Sequence, residues 1–283
     1  MTHPFGDDSE IRRHLVDHLS AQTLPRIVQL TLPLFAGRRD RAPQLVASGV
    51  VLEVGTSRFL ITATHVLRDW PSISISIGDL FFEIRGDRVT IHSEGCEPGS
   101  DDDKLDISLL RLEAGLAERI EADQVLMIAD LDLSASAVGQ DCFLMSGYPE
   151  RRNRDGLDGE SFTVRAYSLL MYDGDEALYQ ALGLDAQAHL ALPFDPNDTW
   201  DMERQVAAPN FQGISGGGLW RIQSDDASPL RETRLAAIAV EQHRKGRHRH
   251  VLATRVRLIL TAVHERYPDL RATLEDALRD AAT

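Results

Sequence analysis

Three side chains that together could carry out nucleophilic chemistry sit in three distinctive settings. A histidine lies in Thr62-Ala63-Thr64-His65-Val66. An aspartate opens Asp106-Ile107-Ser108-Leu109-Leu110. A serine is set among glycines in Gly213-Ile214-Ser215-Gly216-Gly217-Gly218. A serine hydroxyl becomes a good nucleophile only when a base takes its proton. An imidazole is such a base near neutral pH, and a buried carboxylate fixes its tautomer and stabilises its cation. Glycine at 213 permits a positive φ, so its N–H and that of Ser215 can point into one cavity and hold a tetrahedral oxyanion. The glycines after Ser215 allow another backbone to come close. Each motif alone has a bland reading, as a strand-ending histidine, a solvated carboxylate or a glycine-rich turn. Their occurrence together, in the order His, Asp, Ser, favours the chemical reading.

The flanking residues explain how each group would be presented. Ser48–Val54 and Ser57–Thr62 are β-rich runs split by Gly55-Thr56, a hairpin signal. Ala63 and Thr64 are small enough for a tight turn that leaves His65 at a sheet edge. Asp106 begins the apolar run Ile107–Leu112 and therefore borders a core. Asp101, Asp102 and Asp103 compete with it, but they fall in the polar loop Pro98–Lys104, which reads as a solvated tip. Asp106 is the preferred partner for His65.

This order and spacing resemble the trypsin-like, chymotrypsin-fold serine peptidases in their bacterial, disulfide-free form, over roughly residues 26–260. The strand-like Cys142–Pro149, ending in Gly147-Tyr148-Pro149, is similar to a segment of that family. The resemblance implies an all-β fold of two six-stranded antiparallel β-barrels, with N-terminal and C-terminal helices. It implies peptide-bond hydrolysis through an acyl-enzyme on a protein or peptide substrate, with no cofactor and no metal. Ser215 would attack, His65 would move the proton, Asp106 would orient His65, and the N–H groups of Gly213 and Ser215 would hold the oxyanion. The strand Arg234–Glu241 would line the primary specificity pocket, with Val240, Glu241, Gln242 and Phe211 as its candidate residues. One position departs from the digestive branch, whose members carry an aspartate just before the serine to receive a freed N-terminus. Here it is Ile214, so control would fall to a partner protein, a terminal helix or a loop, or the chain is constitutively competent.

Two other readings compete. Gly213–Gly217 also fits the G-x-S-x-G elbow of α/β-hydrolases, but that motif needs a helix after the serine and βαβ alternation around it. Consecutive glycines are a poor helix start, and Leu219–Ile222 reads as a strand. A protease-like binding module that holds the same three residues out of line is the second alternative.

Four segments follow along the chain: a helical segment 1–25, a first barrel with connector 26–136, a second barrel 137–256, and C-terminal helices 257–283. Ile11, Leu15 and Leu19 recur every fourth residue and predict an amphipathic helix over Ser9–Gln22, ended by Pro25. Ile27–Leu32 reads as the first strand. Ser72–Ile77, Leu80–Arg85 and Arg88–Ile91 read as strands joined by hairpin turns at Gly78-Asp79 and Gly86-Asp87. Glu113–Ser136 reads as an acidic connector and Asp173–Ala186 as a helical insertion. His243–His250 is a basic run read as a hairpin tip. After it come helices over Arg255–Arg266 and from Pro268, the latter with Leu270, Leu274 and Leu278 on one face.

Composition bounds the partners. The chain has 283 residues, 43% of them hydrophobic, enough for a full core. Its net charge of −14 argues against nucleic acid as a general partner. No apolar run is long enough to span a bilayer, so no membrane is expected. The N-terminus lacks the apolar stretch of a secretory signal, and only Cys96 and Cys142 are present. Both features favour free thiols and a cytoplasmic setting.

Overall fold

A computed structural model describes residues 23–280, apart from 38–42, 135–137, 140, 154–163, 196–198, 201–204, 207–211, 223–232 and 244–248. The helix expected over Ser9–Gln22 lies outside the described residues.

The first described element is a helix, α1 (Leu24–Leu30), where a strand from Ile27 was expected. Pro25 begins this helix instead of ending one, since the first turn needs no N–H from it. Ile27 and Leu30, three apart, bury one face. Thr31 Oγ1 donates to the Ile27 carbonyl at 2.8 Å and closes the last turn. The strand β1 (Thr31–Ala36) starts only there.

The first sheet then builds from β2 (Gln44–Val54), β3 (Ser57–Ala63), β4 (Ile73–Ile77), β5 (Leu80–Glu83), β6 (Gly86–Ile91) and β7 (Ile107–Leu112). A short helix α2 (Thr64–Asp69) follows β3 directly. The order across the sheet is β5-β4-β1-β2-β3-β7-β6, with the two-residue β8 (Val125–Leu126) added in parallel to β2. The sheet thus has seven main strands where six were expected. Gly55, at φ 60, makes the predicted hairpin between β2 and β3.

Gly86-Asp87 is not the hairpin turn expected of it. Among the described residues β5 pairs only with β4, and β6 pairs with β7, so these consecutive strands lie at opposite edges. Glycine is needed at 86 for a different reason: a Cβ there would sit 2.0 Å from the Arg111 carbonyl oxygen. Only three Cα–Cα steps join the end of β5 to the start of β6, so the two sheet edges approach within about 11 Å. The sheet is therefore curled into a half-barrel.

A connector with helix α3 (Ala114–Ala117) and two 3₁₀ turns leads to the second sheet. Its strands are β9 (Cys142–Gly147), β10 (Tyr167–Tyr172), β11 (His189–Pro193), β14 (Gly218–Ile222), β15 (Thr233–His243) and β16 (His250–Arg255), in the order β10-β9-β14-β15-β16-β11. Helices α4 (Glu150–Asn153) and α5 (Glu176–Leu182) lie in its connections, and β12 (Thr199–Trp200) and β13 (Gln205–Val206) form a separate ribbon. Asp175 caps α5 by accepting from the Leu178 N–H, and Gly183 ends it in the left-handed conformation.

The central strand β9 is buried along its whole length, and the period of two divides its side chains and those of its neighbours between cores. Phe143 and Met145 of β9 pack with Leu169, Met171, Leu190 and Leu219 inside the second half-barrel. Leu144, Trp220 and Leu252 point the other way, into a larger core shared with the first sheet. Each fully buried side chain of this size stabilises the fold by roughly 1.5–3 kcal/mol.

The chain ends in α6 (Val256–Arg266) and α7 (Arg271–Asp280), which return to cover the first sheet. Tyr267 packs on Phe59, Arg111 pairs with Asp269 at 2.6 Å, and Leu270 lies against Gly55. The architecture is mostly β, two curled antiparallel sheets with terminal helices. This is compatible with a chymotrypsin-like double barrel and has no place for α/β-hydrolase alternation. No helix among the described residues is long and apolar enough to cross a membrane.

Candidate active site

The pairing of β3 with β7 brings His65 and Asp106 together. Ala63 lies opposite Ile107, so the residue after β3 and the residue before β7 meet at the same end of the ladder. The Thr64 N–H donates to the Asp106 carbonyl at 2.8 Å. His65, one residue further on, is held twice by the Asp106 carboxylate. Its Nδ1 lies 2.5 Å from Oδ2, and its backbone N–H donates to Oδ1 at 2.9 Å. The Asp106 carboxylate is almost wholly buried, whereas the imidazole keeps 30% of its surface exposed. The second ring nitrogen is thus left to face outward. A bonded Nδ1–H makes Nε2 the basic nitrogen.

This geometry requires an unusual backbone. Asp106 has φ 41, and it is the sole non-glycine residue in the left-handed region among the described residues. Asp tolerates that region better than most side chains but still needs support. Asp103 supplies it. Its carboxylate accepts from the N–H groups of Ser93 (2.8 Å), Gly99 (2.9 Å), Leu105 (3.2 Å) and Asp106 (3.2 Å). Burial pushes this carboxyl up, but those backbone donors outweigh burial and hold it below the usual carboxylate range. Asp101 and Asp102 are exposed, as a solvated tip requires, but Asp103 is 4% exposed and organises the loop. The reading of all three as tip residues is corrected for Asp103. From the second sheet, Thr254 Oγ1 donates to the Leu105 carbonyl at 2.7 Å. Gly99 completes the cradle, because a Cβ there would lie 2.9 Å from the His65 nitrogen.

Ser215 comes from the second sheet, on the turn 212–216 that leads into β14. Gly213 and Gly216 take φ values of 94° and 86°. A Cβ on Gly216 would fall 2.0 Å from the Ser48 carbonyl oxygen and 2.3 Å from Thr62 Oγ1. The glycine therefore lets the serine turn rest on the strand that leads to His65. The Ser48 N–H binds the Ser215 carbonyl at 2.9 Å and the Gly216 N–H binds that of Ala239 at 2.7 Å.

Peptide planarity orients the turn's donors. The Gln212 carbonyl accepts from the Glu150 N–H at 2.8 Å, so the Gly213 N–H, trans across that peptide, points the opposite way. The Ile214 carbonyl accepts from the Gly217 N–H at 2.7 Å, which directs the Ser215 N–H away in the same manner. Neither the Gly213 nor the Ser215 N–H donates to a protein acceptor among the described residues. Such donors can stabilise a developing oxyanion. Ile214 itself is buried in the second core against Gly147.

Ser215 Oγ is half-buried and donates to the Val240 carbonyl at 3.3 Å rather than to His65. At that length the bond is weak. Val240 lies at a bulge in the β15–β16 pairing, and such a bulge re-aims the strand's groups. Its own side chain packs in the larger core, so what it offers the serine is its carbonyl. Glu241 is half-exposed and pairs with His243 Nε2 at 2.9 Å, and the His243 ring stacks on His250. Burial pushes the Glu241 carboxyl up, His243 opposes this, and the negative charges of Asp101 and Asp106 add to the rise. Gln242 lies opposite Val251 in the ladder. Phe211 and the tip 244–248 lie outside the described residues. No cluster of metal-ligating side chains occurs among the described residues.

The contributions of Asp103, Thr254 and Ser48 were not foreseen from sequence. Nothing local in the sequence sets Asp103 apart from Asp101 and Asp102. In comparisons with known proteins, no family model matches this chain, and no curated protein matches it either.

Proposed function

We propose that this protein is a serine endopeptidase of trypsin-like type. The observation that carries the reading is the double hold of buried Asp106 on His65, on one sheet, beside a glycine-cradled Ser215 turn docked from the other. In this reading Ser215 Oγ attacks the substrate carbonyl carbon while His65 takes its proton. The N–H groups of Gly213 and Ser215 hold the oxyanion. His65 then gives the proton to the leaving amine, and water, activated by the same imidazole, hydrolyses the acyl-enzyme. This chemistry needs no cofactor.

The partner is a protein or peptide segment. The strong negative charge disfavours nucleic acid. The two free cysteines suit a reducing compartment such as the cytoplasm. Ile214, apolar and buried, replaces the charged switch of zymogens, so activity does not depend on a freed N-terminus.

One observation favours a second reading, a binding module. Ser215 Oγ is engaged by the Val240 carbonyl and not by His65. Rotation about the serine Cα–Cβ bond releases it, at the cost of one long hydrogen bond. Purified wild-type protein and Ser215→Ala, assayed on a peptide library, decide between the two. Hydrolysis by wild type and its loss in the folded variant support the peptidase. Binding without hydrolysis by both supports the module.

A further inference from the structure

Thr254 lies in β16, outside the three motifs, and is fully buried. It pairs with Ile238 of β15 on one side and His189 of β11 on the other, so its backbone sits inside the second sheet. Its hydroxyl reaches out of that sheet and donates to the Leu105 carbonyl at 2.7 Å. This carbonyl belongs to the peptide that joins Leu105 to Asp106. The N–H of the same peptide, that of Asp106, donates to Asp103 Oδ1 at 3.2 Å. Asp103 Oδ1 also accepts from Ser93 and Leu105, so the Thr254 bond is the shorter and less divided of the two grips on this peptide.

The grip matters because of where the Asp106 side chain leaves the backbone. Its Cα–Cβ direction is set by the two peptide planes that meet at its Cα. The plane after Asp106 is pinned where the Asp106 carbonyl accepts the Thr64 N–H at 2.8 Å. The plane before it is the one that Thr254 holds. The rotation between that plane and the Cα is φ. At 41° it lies in a region that a non-glycine residue keeps only under constraint. Relaxation to a negative φ turns the 105–106 peptide relative to the carboxylate. Either the Leu105 carbonyl then leaves Thr254, or the carboxylate leaves His65. With the hydroxyl in place, neither Asp106 contact to His65, at 2.5 and 2.9 Å, has to give.

We infer that Thr254 is a positioning residue whose hydroxyl fixes the Leu105–Asp106 peptide and so aims the Asp106 carboxylate at His65. The sheet that carries Ser215 thereby also aligns the base that activates it. The effect on turnover rests on the peptidase reading above, whereas the effect on the His65–Asp106 bond rests on the geometry. Thr254 is fully buried and does not touch substrate, so its hydroxyl acts on the transition state and not on substrate affinity.

The test compares wild type, Thr254→Val and Thr254→Ser for kcat and KM on a cleavable peptide, for thermal unfolding, and for the proton NMR signal of His65 Nδ1–H. A proton held in a short bond between an imidazole nitrogen and a carboxylate resonates far downfield of ordinary ring protons, and its absence from His65→Ala assigns it. Thr254→Val keeps the shape and loses the donor. A catalytic group misplaced by about 1 Å costs about 100-fold, so Thr254→Val is expected to lose about 10- to 100-fold in kcat. KM should stay within about threefold, and the downfield signal should vanish or move upfield. Thr254→Ser restores the donor, so its kcat should lie within about threefold of wild type with the signal in place. A folded Thr254→Val with wild-type kcat, or with kcat lost and the signal unmoved, overturns the inference. A folded Thr254→Ser as impaired as Thr254→Val overturns it too. If Thr254→Val does not fold, Thr254→Ala decides by the same readouts, and loss of fold in both makes the residue structural and overturns the inference. An inactive wild type overturns the peptidase reading, and the downfield signal in the variants then decides the inference without turnover.

Discussion

Replacing Asp106 by Asn separates the fold from the chemistry at one site. Asn is nearly the same size and tolerates the left-handed φ of 41°. Its amide oxygen can still accept the His65 backbone N–H, which now binds Oδ1 at 2.9 Å. The other contact changes in kind. The carboxylate oxygen 2.5 Å from His65 Nδ1 becomes an NH₂ donor, which forces Nδ1 to accept and moves the ring proton to Nε2. The imidazole is then in the wrong tautomer to take a proton from serine. In the serine-peptidase triad such a swap lowers kcat about 10⁴-fold, or about 5.5 kcal/mol of transition-state stabilisation. The stability cost is far smaller, about 1–2 kcal/mol, since a charge-assisted bond is replaced by a neutral one. The assay is kcat and KM on a cleavable peptide, beside a urea unfolding curve. A folded Asp106→Asn protein with kcat within tenfold of wild type would refute the assigned role.

Asp103→Asn should destabilise the protein near neutral pH, and the gap to wild type should close in acid. Its native carboxyl lies below its unfolded value, so its stabilisation is full above about pH 4 and is lost as pH falls through the native value. Urea midpoints at pH 7 and pH 3 check this, and a gap that widens in acid contradicts it. Deleting residues 1–8 should leave kcat unchanged, because buried Ile214 offers a new ammonium no partner; a sharp rise on trimming refutes that. Cleavage should follow small or medium apolar residues, because Glu241 is half-exposed and already paired with His243. A library profile dominated by Arg or Lys before the cut would place an acid at the pocket base.

The three motifs were legible because each is local. A glycine-flanked serine, an aspartate opening an apolar strand and a histidine after a β-hairpin each announce themselves within a few residues. The apolar strand Cys142–Gly147 and the turn at Gly55 were legible for the same reason. What escaped was set by contacts remote in sequence. Ser48 meets the Gly213 carbonyl across 165 positions, and nothing near Ser48 in the chain signals it. Gly86 read as a turn because glycine is common there, but close approach to Arg111 is what requires it. Pro25 read as a helix stop, although proline is equally at home in a first turn. Asp103 looked like its exposed neighbours, and only the folded loop turns four N–H groups onto it.

The central claim is that Ser215 is activated by the His65–Asp106 pair. Intact-mass measurement after treatment with a fluorophosphonate tests it most directly, since the activated oxygen displaces fluoride and keeps the phosphonyl group. A single adduct is expected, located on Ser215, absent from Ser215→Ala and much slower to form in Asp106→Asn. Folded wild-type protein that takes up no adduct between pH 6 and 9, or takes it up equally in Ser215→Ala, would contradict the claim.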